Sequence, residues 1–319
     1  GKIELDHTGS GSGITLSSDG TDLLLDGTAI GGGGGADLYA ANESSPTAQP
    51  SATGTNAIAI GDSATTAGND GVAIGKQSKA RALESLGLFG DAQNSQSISI
   101  GKGSATTADG AVQLGRNGYA TGTDAVSLGK SRASGSSSFS AAITSNSSTY
   151  GGTSTNAVAI GQLSRATSTR ALAMMNNAIA SGADSVAVGR STDATASSAF
   201  AFGYHCLASG NNSFATGYQS KAATIGKAAY ASGSFSGSYD GDAQQGTYVL
   251  RSDTTDATAE ALTTNNGTAG TTNQIILSNT SALSFHGTIV AREDATDGTD
   301  CAAWKVEGLI RREASASTT

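Results

Sequence analysis

Residues Asn156–Gly217 read NAVAIGQLSRATST, RALAMMNNAIASGA, DSVAVGRSTDATAS, SAFAFGYHCLASGN and NSFATG. Each block of fourteen opens on a short apolar run closed by Gly, with Met175 standing in for Gly in the second block. Small residues follow at every second position, and then the pattern restarts. A chain that restarts at so short a fixed interval is a coil stacked on itself, in which each coil buries its apolar surface only against its neighbours.

Working outward, the closing glycines are Gly61, Gly75, Gly101, Gly115, Gly129, Gly161, Gly189, Gly203 and Gly217. One and three residues before them stand pairs such as Ile58/Ile60, Val72/Ile74, Val158/Ile160, Val186/Val188 and Phe200/Phe202. Residues two apart in a strand share a face, so one face is Val, Ile, Leu and finally Phe. The other is mostly Ala or Ser, as in Ala57/Ala59, Ala157/Ala159, Ala171/Ala173 and Ala199/Ala201. A half-buried strand would carry polar residues there. The reading is therefore that the Val/Ile/Phe side closes each coil, while the Ala side lies against further copies of the chain around a common axis. After the glycine, small residues alternate with polar ones: Ser78/Ala80/Ala82 around Lys79 and Arg81, Ser164/Ala166/Ser168 around Arg165, and Cys206/Ala208/Gly210. This is a second strand, small side inward. Two strands per period make a flattened coil, and roughly twelve or thirteen coils about 4.8 Å apart give a rod of about 60 Å.

The period is interrupted twice. Between Gly75 and Gly101 lies a degenerate coil, SLGLFG (Ser85–Gly90); between Gly129 and Gly161 lie SSSFSAA (Ser136–Ala142) and TSNSSTYGGTSTN (Thr144–Asn156). Insertions in a solenoid become loops on its side, so both intervals are expected to carry contacts outside the rod.

Composition narrows the alternatives. With 44 Gly, 5% aromatic and 14% charged residues the chain lacks the bulk for a wide core, and a thin repeated one fits. Only 2 Pro and a strict apolar period argue against disorder. Fourteen is also two heptads, but Gly in every period and many β-branched residues exclude a coiled coil. A calcium-binding roll would carry GGxGxD repeats, which are missing here. A net charge of -8 without a basic run speaks against nucleic acid as a partner, and no apolar run approaches the ~20 residues of a membrane span. The start at Gly1 rather than Met is what a processed or excised piece of a longer protein would show.

Four regions result. Residues 1–50 hold short strands (Ile3–Asp6, Gly13–Ser17, Asp22–Asp26), a turn at Ser18-Asp19-Gly20 and the run Gly31–Gly35. That run is read as a flexible joint, because no Lys follows it as in a phosphate-binding loop. The roll spans 51–235 and a linker 236–246. Residues 247–319 form an antiparallel β module with strands at Thr247–Ser252, Asn273–Ser278, Leu283–Glu293 and Ala302–Glu313, turning at Asn265-Asn266-Gly267 and Asp297-Gly298.

Chemistry-bearing residues are few. Nothing like GxSxG marks a nucleophile, and the carboxylates show no paired-acid spacing. Of His7, His205 and His286, only His205 has a reactive neighbour, Cys206. Strand alternation puts the two on opposite faces, and Cys206 occupies a position filled elsewhere by Ser or Ala. Trp304 alternates with Val306 and is expected in the core of the module, with Cys301, Arg311 and Arg312 at its rim. Tyr119, Tyr150, Tyr204 and Tyr218 could stack on sugars from the side of the rod, or be ordinary surface aromatics. No catalytic, cofactor-binding or metal-binding residue is assigned.

The NAVAIGxxSxA pattern resembles the head repeat of trimeric autotransporter adhesins, the YadA-like head, over residues 51–235. That resemblance implies a left-handed parallel β-roll, a homotrimer and no catalytic site. The neck and membrane-anchor segments of such adhesins have no counterpart in this sequence. Bacteriophage tail fibres reuse the repeat. The stretches YVLRSDTTDATAEALTT, NQIILSNTSALSFHGTIVARE and AAWKVEGLIRRE resemble a module towards the C-terminal end of tail-fibre and other virion proteins. In those proteins further strands follow, which implies that the module is incomplete here. Roll and module together point to a structural virion protein, a trimeric tail fibre or appendage that spaces or mediates host attachment. Its implied partners are other tail proteins and a host-surface glycan or protein receptor. The alternative is a bacterial surface adhesin binding matrix or cell-surface polymers.

Overall fold

A computed structural model describes residues 3–5, 14–18, 23–25, 28–30, 48–235, 241–294 and 300–314. His7, Gly31–Gly35 and the turns expected at Asp19-Gly20 and Asp297-Gly298 lie outside them. The described structure is all β, without a helix.

Residues 51–232 form a parallel β-solenoid. Each coil has a long strand, such as Val158–Ile160, and a two-residue short strand, such as Arg165–Ala166. The long strands stack into a sheet of thirteen parallel strands plus one antiparallel strand at its end. The short strands stack into sheets of seven and six. At both corners one residue of each coil is left-handed: Asn156, Arg170, Asp184, Ser198 and Asn212 at one, Leu163, Asn177, Ser191, His205 and Gln219 at the other, all with φ of 52–59°. The rich supply of Asn, Asp and Gly suits these corners, since Asn, Asp and Gly enter that region most easily. The corners are also laced along the rod by residues one coil apart. Asn56 Nδ2 donates to Asp70 Oδ1 at 3.0 Å, Asn176 Nδ2 to Gln162 Oε1 at 2.8 Å, and Arg170 Nη2 to Asp184 Oδ2 at 2.8 Å.

The faces of the long strands are the reverse of the sequence reading. Ala73, Ala159, Ala173, Ala187, Ala201 and Ala215 are fully buried inside the coil, while Val158, Ile160, Leu172 and Val186 are only partly covered and point outward. The reason is volume. The small side chains of the short strands, Ser78, Ala80, Ser164, Ala166, Cys206 and Ala208, point into the same space. A gap filled by Ala and Ser from both sides has no room for Val or Phe. Where a larger group enters, another position shrinks: Gln113 is wholly buried, and a Cβ on Gly118 would stand 2.2 Å from its Nε2.

The interruptions also differ from expectation. Leu86–Leu88 is a regular long strand, paired in parallel with Val72–Ile74 and Ile98–Ile100. The first interval is thus a coil shortened after Phe89, which takes the glycine position with φ 54°, and carries no side loop. The second interval holds a further coil, with Phe139–Ala141 and Gly151–Gly152 as strands. Residues 142–150 do leave the coil, with Ile143 wholly buried at their root and Asn146 Nδ2 donating to Asn117 O at 3.1 Å.

The two ends of the roll differ: on the first side Ile58–Ile60 is the edge strand of its sheet, and at the other a strand covers the edge. At the first coil the Asp62 carboxylate accepts from Ala48 N–H at 3.0 Å and pairs with Lys76 at 2.8 Å. At the last, Gln244–Thr247, all but Thr247 expected to be linker, pairs antiparallel with Ala228–Ala231. The Gln244 amide copies a backbone strand: its Oε1 accepts from Lys221 N–H at 2.7 Å and its Nε2 donates to Lys221 O at 3.0 Å.

Elsewhere, Ile3–Leu5, Ile14–Ser18, Leu23–Leu25 and Thr28–Ile30 form an antiparallel sheet in chain order, the last of them unforeseen. Beyond the roll, Ser281–Arg292 and Cys301–Arg312 form one twelve-residue antiparallel hairpin. The strands expected at Thr247–Ser252 and Asn273–Ser278 reduce to Thr247 and an isolated bridge, Arg251 to Thr263. Trp304 is 52% exposed rather than core, because no layer among the described residues covers the hairpin. Among its neighbours Val290 and Leu309 are exposed as well.

Candidate functional site: the outward face of the long-strand sheet

Thirteen coils repeat the outward pair of each long strand in register, so Val, Ile, Leu, Met and Phe form a mainly apolar strip, broken by Ala141, Thr216 and Ala228. Exposed apolar patches beyond a few hundred Å² mark interaction surfaces. This strip runs the length of the roll, and its large side chains are up to half exposed: Leu114 39%, Phe214 41%, Met175 55%.

The strip changes near its end. Val186–Arg190, Phe200–Tyr204, Phe214–Tyr218 and Ala228–Ser232 are five-residue strands that continue past the glycine position, held by Ala231 in the last. Here Phe202 and Phe214 rings lie 5.9 Å apart, Tyr204 and Tyr218 stack at 5.1 Å, and the Arg190 guanidinium lies 5.3 Å from the Tyr204 ring centre. Met175, Val188, Phe202 and Tyr204 line an open, largely apolar groove of about 510 Å³. The step from three to five residues is visible in the sequence only as the aromatic after the glycine in Gly203-Tyr204 and Gly217-Tyr218.

The other singled-out residues do not assemble into a centre. His205 is exposed at its left-handed corner, edge-on to Tyr204 at 4.4 Å. Cys206 is buried, its Sγ donating to Gly217 O at 3.2 Å. The two are separated as expected, His205 outside and Cys206 inside, but by the left-handed corner rather than by strand alternation. Tyr119 and Tyr150 are half-buried and belong to the short-strand side. His286 is exposed on the hairpin opposite Glu307, and Cys301 is an exposed free thiol. Arg311 pairs with Glu313 at 3.1 Å, and Arg312 donates to Leu277 O at 2.7 Å. Among the described residues no group of three or more His, Cys, Asp or Glu is placed to hold a metal ion, and no helix is long and apolar enough to cross a membrane. What the face offers is an extended, partly exposed apolar surface that ends among aromatic rings.

The chain matches the YadA head domain repeat family over residues 52–78, 153–174, 176–205 and 208–224, all within the solenoid. No curated protein matches it.

Proposed function

With its roll a YadA-like head β-roll, we propose that this chain is the rod of a homotrimeric surface-attachment protein. The carrying observation is the outward apolar strip. A strip of thirteen rungs with exposed Phe and Met is costly in water at roughly 25 cal/mol per Å², and three copies around an axis would cover it with their short-strand sheets left outside. Such a rod works by geometry. It sets reach and stiffness, and it presents three equivalent flanks whose weak contacts add through avidity. Binding and spacing, not catalysis, is the role this fold supports.

Of two settings, a bacteriophage tail fibre is supported by the resemblance of residues 248–313 to virion modules. A bacterial surface adhesin is supported by the head-repeat match. Equilibrium sedimentation of the purified chain should return three times the 31.2 kDa chain mass; a monomer or dimer would overturn the trimer. Immunogold labelling against the roll, on phage particles and on bacterial surfaces of the source, then decides between the settings.

A further inference from the structure

On the short-strand side, three consecutive coils carry Arg132, Gly151 and Arg165 at the same outward register position. Gly151 pairs with Arg165, while Ser134 N–H and Gly135 N–H both reach Gly152 O, at 2.9 and 3.2 Å, which aligns Arg132 with Gly151 from the other side. The arginine backbones are thus two strand spacings apart, about 10 Å, with the buried Gly151 at the ladder position between them.

These arginines differ from others on the roll. Arg81 is held by Asp91 and Arg170 by Asp184, while Arg116 and Arg190 are exposed. Arg132 and Arg165 have no carboxylate partner among the described residues. Both are half-buried, and in both the Nε–H is buried without an acceptor. The Nε–H is closed to solvent, so the donors open to an external acceptor are the terminal Nη groups, which no described protein group engages. The Arg132 guanidinium also lies 5.9 Å from the Tyr119 ring centre. The hydroxyl-bearing residues Ser134 and Thr153 stand two residues on from Arg132 and Gly151, on the same outward side and half-buried. Residues 142–150, rich in Ser, Thr and Asn, leave the coil directly before Gly151. In a chain of net charge -8 this uncompensated pair does not follow from general basicity, and it is too small to hold a nucleic acid backbone.

We propose that Arg132 and Arg165, on either side of Gly151 in the ladder, form a binding site for the anionic group of an acidic polysaccharide, a uronate carboxylate or a sulfate ester. Forked N–H donors recognise such oxygens in pairs; the hydroxyls and the Tyr119 ring suit the sugar that carries them. The site lies on the flank left open by the proposed trimer and supplies the ligand class of that reading.

The test is biolayer interferometry on the whole chain with dextran sulfate, polygalacturonate and neutral dextran. One or both acidic polymers should bind and neutral dextran should not; which one binds tells sulfate from carboxylate. R132Q/R165Q should weaken binding by at least about tenfold, and R116Q, at an exposed guanidinium elsewhere, should leave it unchanged. R132K/R165K keeps the charge but loses the fork, and should also lose several-fold if the glutamine variant misfolds. Failure of both acidic polymers to bind, a double variant that binds as well as the parent, or equal loss in R116Q would overturn the site. Those results in a protein of trimeric mass leave the attachment reading standing, whereas a parent that is not trimeric counts against that reading instead.

Discussion

At the scale of single residues, the coil depends on positions where a side chain cannot go. Gly203 has φ +125°, and a Cβ there would stand 2.0 Å from Gly217 O on the next coil. Gly203→Ala should therefore cost about 2–4 kcal/mol, from backbone strain plus a clash the stacked neighbour cannot relieve, read as a drop in thermal midpoint. Met175 holds the equivalent place at φ 86°, which shows that the position is costly rather than forbidden. A different single-residue lever sits at the first coil. The Asp62 carboxyl is held at about 2, mainly by its hydrogen bond to Lys76 and then by Ala48 N–H. A depressed folded-state value means its stabilisation is complete above the ordinary value of 3.8 and is lost as pH falls from about 4 to about 2. Hydrogen exchange should show the first coil opening in that window while the alanine-cored coils stay protected; Asp62→Asn should abolish the dependence.

At the scale of the strand and coil, the decisive contrast is between neighbours. Ala159→Glu would place a charge in the sealed interior and should cost about 3–5 kcal/mol, unfolding the region. Val158→Glu with Leu172→Glu touches only the outward face, so circular dichroism should keep the β signal while sedimentation shows single chains. If instead Ala159→Glu folds and dissociates, the assignment of faces is wrong. The period, the two strands per coil and the inward small residues of the short strand were all legible in the sequence, because each rests on spacing alone. Which face of the long strand is inside was not. Alternation separates Ala159 from Val158 but does not say which space is wider, and that width is set by Ser164 and Ala166 across the gap. The shortened coil at Leu86–Leu88 hid because Phe89 replaces the expected glycine. The Arg132–Gly151–Arg165 alignment hid because its members are nineteen and fourteen residues apart in sequence, and only pairing brings them level.

At the scale of the molecule, a solenoid is only as sound as its ends, because an open last coil exposes unpaired strand edges. Here Gln244–Thr247 covers that edge, over a buried Lys227 whose Nζ donates to Lys221 O at 2.9 Å and lies 5.6 Å from the Tyr248 ring centre. Burial, and secondarily the charge of Lys221, lowers Lys227 to about 8 from 10.5, while burial raises the Tyr248 phenol and keeps it neutral. A base with a lowered folded-state value binds fewer protons folded than unfolded, so its penalty is full below pH 8 and fades towards pH 10.5. The closing segment should melt later at pH 9.5 than at pH 7.5, and Lys227→Met should remove the difference. The uniform parallel register of the coils has a further consequence, for inheritance. Since the upper edge of one coil matches the lower edge of the next, duplicating or deleting a coding segment of forty-two bases, one period of fourteen residues, leaves every junction of the kind already present. Lineages carrying this gene can lengthen or shorten the rod in steps of about 4.8 Å without redesigning either end, so reach can vary between relatives while the ends that join it to other structures stay the same.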